Sequence, residues 1–288
     1  MDSLLAADAL RVDVDGVPCV DGLTLRTTGS RVVVLGAGRG LFEAVSGTRR
    51  VARGALRVAG ADPLVAVREA IVAGAPLDPP LPPEWTPRDY VTWSARLVGL
   101  SPRDARTRAA VTLDALKMSA ISSAPLRTCP LHLRRATVAA AAMATGASTI
   151  VLEDPTAGLS GAAGHHFSRA LCQALAERSW LLFCARMPLA SPFGMHADEA
   201  IVLTDSTVAA QGALGELASR EKSYALRVAG RADHFAEKAE ARGVRVVRYG
   251  AHLMVDLGAS LRTRDLFDAA DESSSVIVEL RSLARAFA

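Results

Sequence analysis

Residues 149–159 read T-I-V-L-E-D-P-T-A-G-L, a short apolar run that ends in two adjacent acids. The run at 149–152 is apolar and contains β-branched residues, which favours a buried strand. A second such run, R-V-V-V-L at 31–35, leads directly into G-A-G-R-G at 36–40 and then into a short apolar stretch. Strand, glycine loop and helix in this order is the expected context of a phosphate-binding loop. The two stretches together predict the centre of an α/β domain.

The segment between these stretches predicts a helical insert. A proline-rich connector at 76–83 can be neither a helix nor a central strand. Thr-Pro at 86–87 and Ser-Pro at 101–102 place a capping residue before a proline at the first helical position. An alanine-rich stretch that stops at Gly146 favours a further helix. The expected helices run over about 87–99, 102–117 and 133–145.

Strands and helices continue to alternate on both sides of this insert, which indicates a largely parallel sheet with crossovers. The N-terminal residues 9–26 alternate as a strand pair around a turn at Asp15-Gly16. From about residue 223 the pattern restarts on a smaller scale, as a β-α-β-β-α-β module followed by a short terminal helix. The other expected elements are a helix at about 160–178 and strands at 180–184 and 200–203.

Composition narrows the class of protein. Lys and Arg exceed Asp and Glu by only 33 to 30, and this balance does not predict nucleic acid as a partner. Half of the residues are apolar, which predicts a packed core. Four cysteines form no Cys-x-x-Cys pair and have no His at metal-ligand spacing, so we expect reduced thiols and no metal site. No apolar run approaches the roughly 20 residues that span a bilayer, so a cytoplasmic protein is expected.

The stretch at 152–159 resembles the sequence that ABC ATPases write as L-D-E-P-T-x-G-L. The order of the other parts also resembles this family over nearly the whole chain. The resemblance implies an α/β fold, a P-loop NTPase-like ABC ATPase domain with a mixed sheet core and a helical subdomain. This domain would occupy residues 1–220, with the helical insert at about 86–146. Residues 223–288 would form a small α+β C-terminal domain like that of some bacterial exporter ATPases.

The glycine loop departs from the family pattern. A catalytic loop of the form G-x-x-x-x-G-K-[ST] uses a Lys on the phosphates and a hydroxyl on Mg²⁺. The corresponding residues Gly36, Gly38, Arg39 and Gly40 belong to a loop about four residues shorter, with neither group. Val14 lies where the family places an aromatic ring against adenine. The loop is therefore interpreted as a degenerate phosphate loop, in which Arg39 is the one available cation.

Three further family positions carry different residues. Leu77 aligns with the Gln of the Q-loop, which links the metal to the membrane subunit. The signature L-S-G-G-Q, which binds the phosphate held by a partner subunit, aligns with bulky residues and a proline that lacks an N–H donor. No His occurs at 184–187, where the family has its switch histidine. The residues at the signature position are Cys129, Pro130, Leu131, His132 and Leu133.

The two acids Glu153 and Asp154 stand in reverse order to the Asp-Glu pair of the family's Walker B segment. In the family the first acid serves Mg²⁺ and the second polarises the attacking water. The exchange keeps both charges but changes the length of each side chain by one methylene. A displacement of about 1 Å can cost about a hundredfold in rate. We regard Glu153 and Asp154 as vestigial catalytic residues, and no catalytic residue as intact.

These losses predict an ABC-type pseudo-ATPase, for which ATP hydrolysis and bound cofactors are not expected. It would be a structural or regulatory subunit, paired with an ABC ATPase or with itself as a dimer, beneath an integral membrane permease-like subunit. The extreme excess of Arg over Lys suggests a GC-rich bacterial genome. One alternative is a weak or atypical ATPase that energises an exporter with ATP and Mg²⁺ through Arg39, Glu153 and Asp154. Another is a binding module for a different small anion in the former nucleotide cleft.

Overall fold

The computed structural model describes residues 3–159, 161–204, 206–218, 222–249, 252–258 and 260–282. A three-stranded antiparallel sheet in the order β2-β1-β4 lies at the N-terminus. The hairpin expected around Asp15-Gly16 is confirmed, and both of these residues have positive φ angles. The third strand was not predicted. The strands of this sheet are β1 (Leu5–Val14), β2 (Val17–Arg26) and β4 (Arg53–Val58).

A six-stranded sheet in the order β5-β6-β7-β3-β8-β9 forms the centre of the chain. Its first five strands are parallel and β9 is antiparallel, so the expected α/β class with a mixed sheet is confirmed. The inner strands are almost completely buried because helices or the N-terminal sheet cover both faces. The strands are β3 (Arg31–Leu35), β5 (Val72–Ala75), β6 (Thr149–Glu153), β7 (Ser179–Cys184), β8 (Glu199–Thr204) and β9 (Thr207–Gly212).

The expected helical insert is present between β5 and β6. Thr86 and Ser101 cap their helices as predicted, each accepting the backbone N–H three residues later. The alanine-rich helix begins at Leu131, two residues earlier than expected, and its residues from Arg135 to Ala144 are buried. The helices of this domain are α1 (Arg39–Val45), α2 (Pro63–Arg68), α3 (Pro87–Leu97), α4 (Pro102–Ala115), α5 (Leu131–Ala144), α6 (Gly161–Ala174), α7 (Pro192–His196) and α8 (Leu214–Ala218).

The C-terminal part forms an antiparallel sheet in the order β11-β12-β10-β13, with two helices packed on it. This order is that of a split β-α-β fold, and it follows from the element sequence β-α-β-β-α-β that was expected. The short helix predicted after β13 falls outside the described residues. The elements are β10 (Ser223–Ala229), α9 (Ala232–Ala241), β11 (Arg245–Tyr249), β12 (His252–Asp256), α10 (Thr263–Glu272) and β13 (Val276–Ser282).

None of the helices in the described part of the chain is long and apolar enough to span a bilayer.

Candidate functional site

The carboxyl ends of the parallel strands bring several of the singled-out residues to one edge of the central sheet. Gly36 follows β3, Glu153 ends β6, and Asp154 comes directly after it. Leu77 comes two residues after β5, at the start of the proline-rich connector. Ligands of open α/β sheets bind outside the carboxyl ends of the strands. A ligand of this sheet is therefore expected at this edge.

The connection from β3 to α1 is only three residues long, from Gly36 to Gly38. Gly36 has a φ of +75°, and its N–H donates to the carbonyl of Cys184 over 3.3 Å. A Cβ at this position would lie 2.3 Å from the carbonyl oxygen of Leu203, so a side chain does not fit. Gly36 thus makes a tight turn against β7 and β8. The loop is held to neighbouring strands and does not project from the edge.

Gly40 was expected in the glycine loop, and it follows Arg39 in the helix after the turn at 36–38. Gly40 lies in the first turn of α1, where a Cβ would come within 2.2 Å of Cys19 Sγ and 3.0 Å of Val14 Cγ2. The residue is small because the helix packs closely on the β1–β2 hairpin. Val14, expected at the adenine-stacking position, therefore covers the start of α1 with an aliphatic side chain.

Arg39, the cation expected in the glycine loop, is the first residue of α1 and lies near two carboxylates. Its Nε lies 3.0 Å from Glu43 Oε1, one helical turn further on, and 3.8 Å from Glu153 Oε1. Glu43 also pairs with Arg49 at 2.6 Å. The Arg39 side chain remains largely exposed, so these pairs are worth little in stability. They nevertheless direct the guanidinium towards acids of the same chain.

Glu153 is bound to the position expected for the Q-loop. The backbone N–H of Leu77 donates to Glu153 Oε2 over 3.0 Å. Leu77, the residue aligned with the Q-loop Gln, thus contacts the first acid through its main chain. The leucine side chain has no oxygen or nitrogen with which to ligate a metal.

Asp154 occupies a strained and partly buried position. Its φ is +33°, in a region that L-residues rarely adopt, and its N–H donates to the carbonyl of Phe183 over 2.8 Å. Burial raises the pKa of Asp154, against the opposing effects of hydrogen bonds with the backbone of Ala185 and Ala157 and of the charge of Arg135. The carboxylate is thus bound by the turn that follows it and by the end of β7.

The signature-position residues lie at the start of α5. Pro130 is the N-cap residue, with no side-chain cap, and its carbonyl accepts the N–H groups of Leu133 and Arg134 at 3.0 and 3.1 Å. Leu131 occupies the first helical position. Cys129 is buried, which raises the pKa of its thiol. His132 is half-buried and lines, together with Leu133, a groove against α6.

Arg135 is a structural residue of this region that sequence reasoning missed. It is 6% exposed and donates to the backbone carbonyls of Pro155 and Ala157, just after the two acids. It also pairs with Asp78 of the proline-rich connector at 3.3 Å. Arg135 therefore ties α5, the acid-bearing turn and the connector together. The sequence signal for this role was an arginine on a helix face whose other residues are small and apolar.

Comparison with solved structures gives one fold. An ATP-binding subunit of an ABC transporter matches at a TM-score of 0.61 with 19% identity, over 76% of this chain and 93% of that chain. The fold is that of an ABC transporter ATP-binding subunit. CbiO1 from Clostridium perfringens, part of the transporter complex CbiONQ, matches at 0.64 with 16% identity, over 76% of this chain and 92% of its own. An ATP-binding cassette of an ABC transporter in its ADP conformation matches at 0.63 with 13% identity, over 76% and 96%.

No protein-family model and no curated protein sequence matches the chain. The likeness to ABC ATP-binding subunits therefore lies in the fold, since all of these identities are below 20%.

The residues at the carboxyl edge of this ABC-type domain do not fit Mg-ATP. A phosphate loop wraps the β-phosphate with backbone N–H groups and adds a Lys and a metal-binding hydroxyl. Here the N–H of Gly36 donates to Cys184, and the first helical turn continues into Leu41 and Phe42, which are buried. Glu153, at the metal-binding position, is already hydrogen-bonded by Leu77.

Proposed function

We propose that this chain is an ABC-type pseudo-ATPase that serves as a structural or regulatory subunit of a membrane-associated, ABC-transporter-like complex. The observation that carries this proposal is the turn at Gly36. A three-residue connection that packs against the Leu203 carbonyl leaves no loop to surround a phosphate. The fold that presents such a loop in ABC ATP-binding subunits is retained, while its phosphate-binding part is reduced to a turn.

The contacts of the two vestigial acids support the same proposal. Glu153 accepts the Leu77 N–H and lies near Arg39, and Asp154 is bound by backbone groups on either side of it. Both carboxylates therefore serve local structure. A weak ATPase that used Arg39, Glu153 and Asp154 would first have to break these contacts. No contact in the described residues favours that alternative.

A measurement of ATP turnover distinguishes the pseudo-ATPase from the weak ATPase. We expect purified protein with Mg-ATP to release phosphate at the rate of the buffer alone, and the variant Asp154→Ala to be indistinguishable from it. The reason is that neither a lysine nor a metal-binding hydroxyl follows the glycine turn. Phosphate release is followed with a coupled assay over hours. Turnover that Asp154→Ala abolishes would establish the weak-ATPase alternative.

An exposed aromatic surface on the helical subdomain is the proposed contact with a membrane subunit. The rings of Trp85 and Trp93 meet edge to face at 5.9 Å, and Tyr90 lies 6.1 Å from Trp93. Leu97, one helical turn beyond Trp93, is 65% exposed. Contiguous exposed apolar residues with polar surroundings mark interaction surfaces. CbiO1 is described as part of such a complex, which supports a peripheral position at the inner face of the cytoplasmic membrane.

This contact predicts a change in fractionation. In its native cells the chain should sediment with membranes, and Trp93→Glu should move most of it to the supernatant because a buried interface does not tolerate the charge. Val111→Glu is the matched control, since Val111 is also exposed but lies on α4, a different helix from Trp93. Equal behaviour of the two variants would contradict the proposed surface. The measurement is quantitative immunoblotting of both fractions.

A further inference from the structure

A cavity of about 550 Å³ separates the central sheet from the C-terminal sheet. One wall is formed at the carboxyl ends of three neighbouring parallel strands, by Leu35 of β3 with Gly36 after it, Arg186 after β7, and Thr204 of β8. The other wall includes Tyr224 of β10 and residues 280–282 of β13. The volume is within the range of small-molecule sites, and the position is the one at which α/β sheets bind ligands.

The lining combines apolar walls with positive charge. Leu35, Val202 and Leu280 supply apolar surface, and no acidic residue is among the lining residues. Arg186 lines the cavity and makes no ion pair with any residue in the described part of the chain, whereas Arg281 pairs with Glu279. The hydroxyl-bearing residues Thr204, Tyr224 and Ser282 add hydrogen-bonding groups. Apolar walls with a few polar groups and a cation suit a ligand with an apolar body and an anionic end.

The two walls are held together beside the cavity. His252 Nδ1 of β12 lies 2.9 Å from Thr207 Oγ1 of β9. Ala225 and Met254 of the C-terminal sheet belong to the same buried cluster as the core of the central sheet. The cavity therefore lies between two sheets that are packed against each other.

We propose that this cavity binds a small organic anion, a carboxylate or phosphate ester with an apolar body, with Arg186 as its principal cation. The ligand would bridge the C-terminal module and the ABC-type domain. Gly36 of the degenerate phosphate loop lines this site, but Arg39, Glu153 and Asp154 of the former nucleotide cleft do not. A nucleotide effect that Asp154→Ala removes would therefore overturn the proposed function and leave this site untouched.

The test uses the fluorescent probe anilinonaphthalene sulfonate (ANS), which joins an aromatic body to an anion and brightens in apolar surroundings. We expect saturable binding to the full chain that Arg186→Ala weakens by about tenfold, the effect of losing one charge-assisted contact. Arg186→Lys should retain most of the affinity. Arg264→Ala is the matched control, because Arg264 is an exposed arginine of α10 outside the cavity.

Displacement then identifies the chemistry of the ligand. Benzoate or phenyl phosphate should displace ANS at a concentration about tenfold lower than neutral benzyl alcohol, and the stronger of the two anions shows whether a carboxylate or a phosphate is preferred. Two results would overturn the proposal. One is an ANS affinity that Arg186→Ala and Arg264→Ala change equally. The other is displacement by benzyl alcohol as effective as by the anions.

Discussion

Replacing Arg135 with alanine is expected to lower the free energy of unfolding by roughly 3 kcal/mol. The guanidinium is buried and donates to the carbonyls of Pro155 and Ala157, which would lose their donor. The ion pair with Asp78 contributes little to this loss of unfolding free energy, because the Asp78 carboxylate is more than half exposed. The loss should therefore come mainly from two unsatisfied carbonyls and from the space left in the core.

Arg134→Ala is the control for this prediction. Arg134 is the preceding residue of the same helix, has the same side chain, and is exposed. Its removal should change the unfolding free energy by less than about 0.5 kcal/mol. Urea denaturation of both variants, followed by tryptophan fluorescence, measures the difference. Similar midpoints for the two variants would mean that Arg135 does not hold the acid-bearing turn to α5 and the connector.

Replacing Gly36 with alanine is expected to destabilise the protein by a similar amount, roughly 3 kcal/mol. A left-handed backbone costs an L-residue about 1–2 kcal/mol, and the overlap with the Leu203 carbonyl adds about 1–3 kcal/mol. The added methyl group would lie 2.3 Å from that oxygen, so β3 and β8 would have to separate. Differential scanning calorimetry should show a melting temperature lower by several degrees.

Gly38→Ala isolates the effect of the turn. Gly38 has a φ of −73°, and nothing lies within 4 Å of a Cβ built there. Its replacement should cost only about 1 kcal/mol, because alanine is less favourable than glycine at a helix N-cap. A loop that stood free of the strands would tolerate both substitutions to a similar degree. Equal melting temperatures would therefore refute the tight turn on which the proposed function depends.

Much of the fold could be predicted because its local signals are strong. Thr86 and Ser101 stand before prolines and cap helices by hydrogen bonds within their own first turns, so neighbouring residues suffice to place them. Both ends of β3, the strand with three consecutive valines, were predicted correctly. The strands β4 and β5 were missed because they carry arginine, alanine and glycine at positions where strand signals are usually β-branched. Their pairing with β1 and β6 comes from tertiary structure.

The sequence predicted where the candidate site lies, but it did not predict most of the contacts that its residues make. The stretch at 152–159 was enough to place Glu153 and Asp154, since acids that end a buried parallel strand lie where the carboxyl ends of the neighbouring strands also meet. Gly40 could not be assigned from the sequence, because its smallness is required by Cys19 of a distant hairpin. The contacts of Arg135 likewise depend on a turn 20 residues further along the chain.

The melting temperature of the purified protein, measured with and without millimolar Mg-ATP and Mg-ADP, tests most directly whether the nucleotide site has been lost. A ligand at about 100 times its dissociation constant adds about 2.7 kcal/mol of stability, which raises the melting temperature of a chain of this size by a few degrees. We predict no shift with either nucleotide and no heat of binding by calorimetry. A clear shift that Asp154→Ala removes would mean that this edge of the sheet still holds nucleotide, and would contradict the pseudo-ATPase proposal.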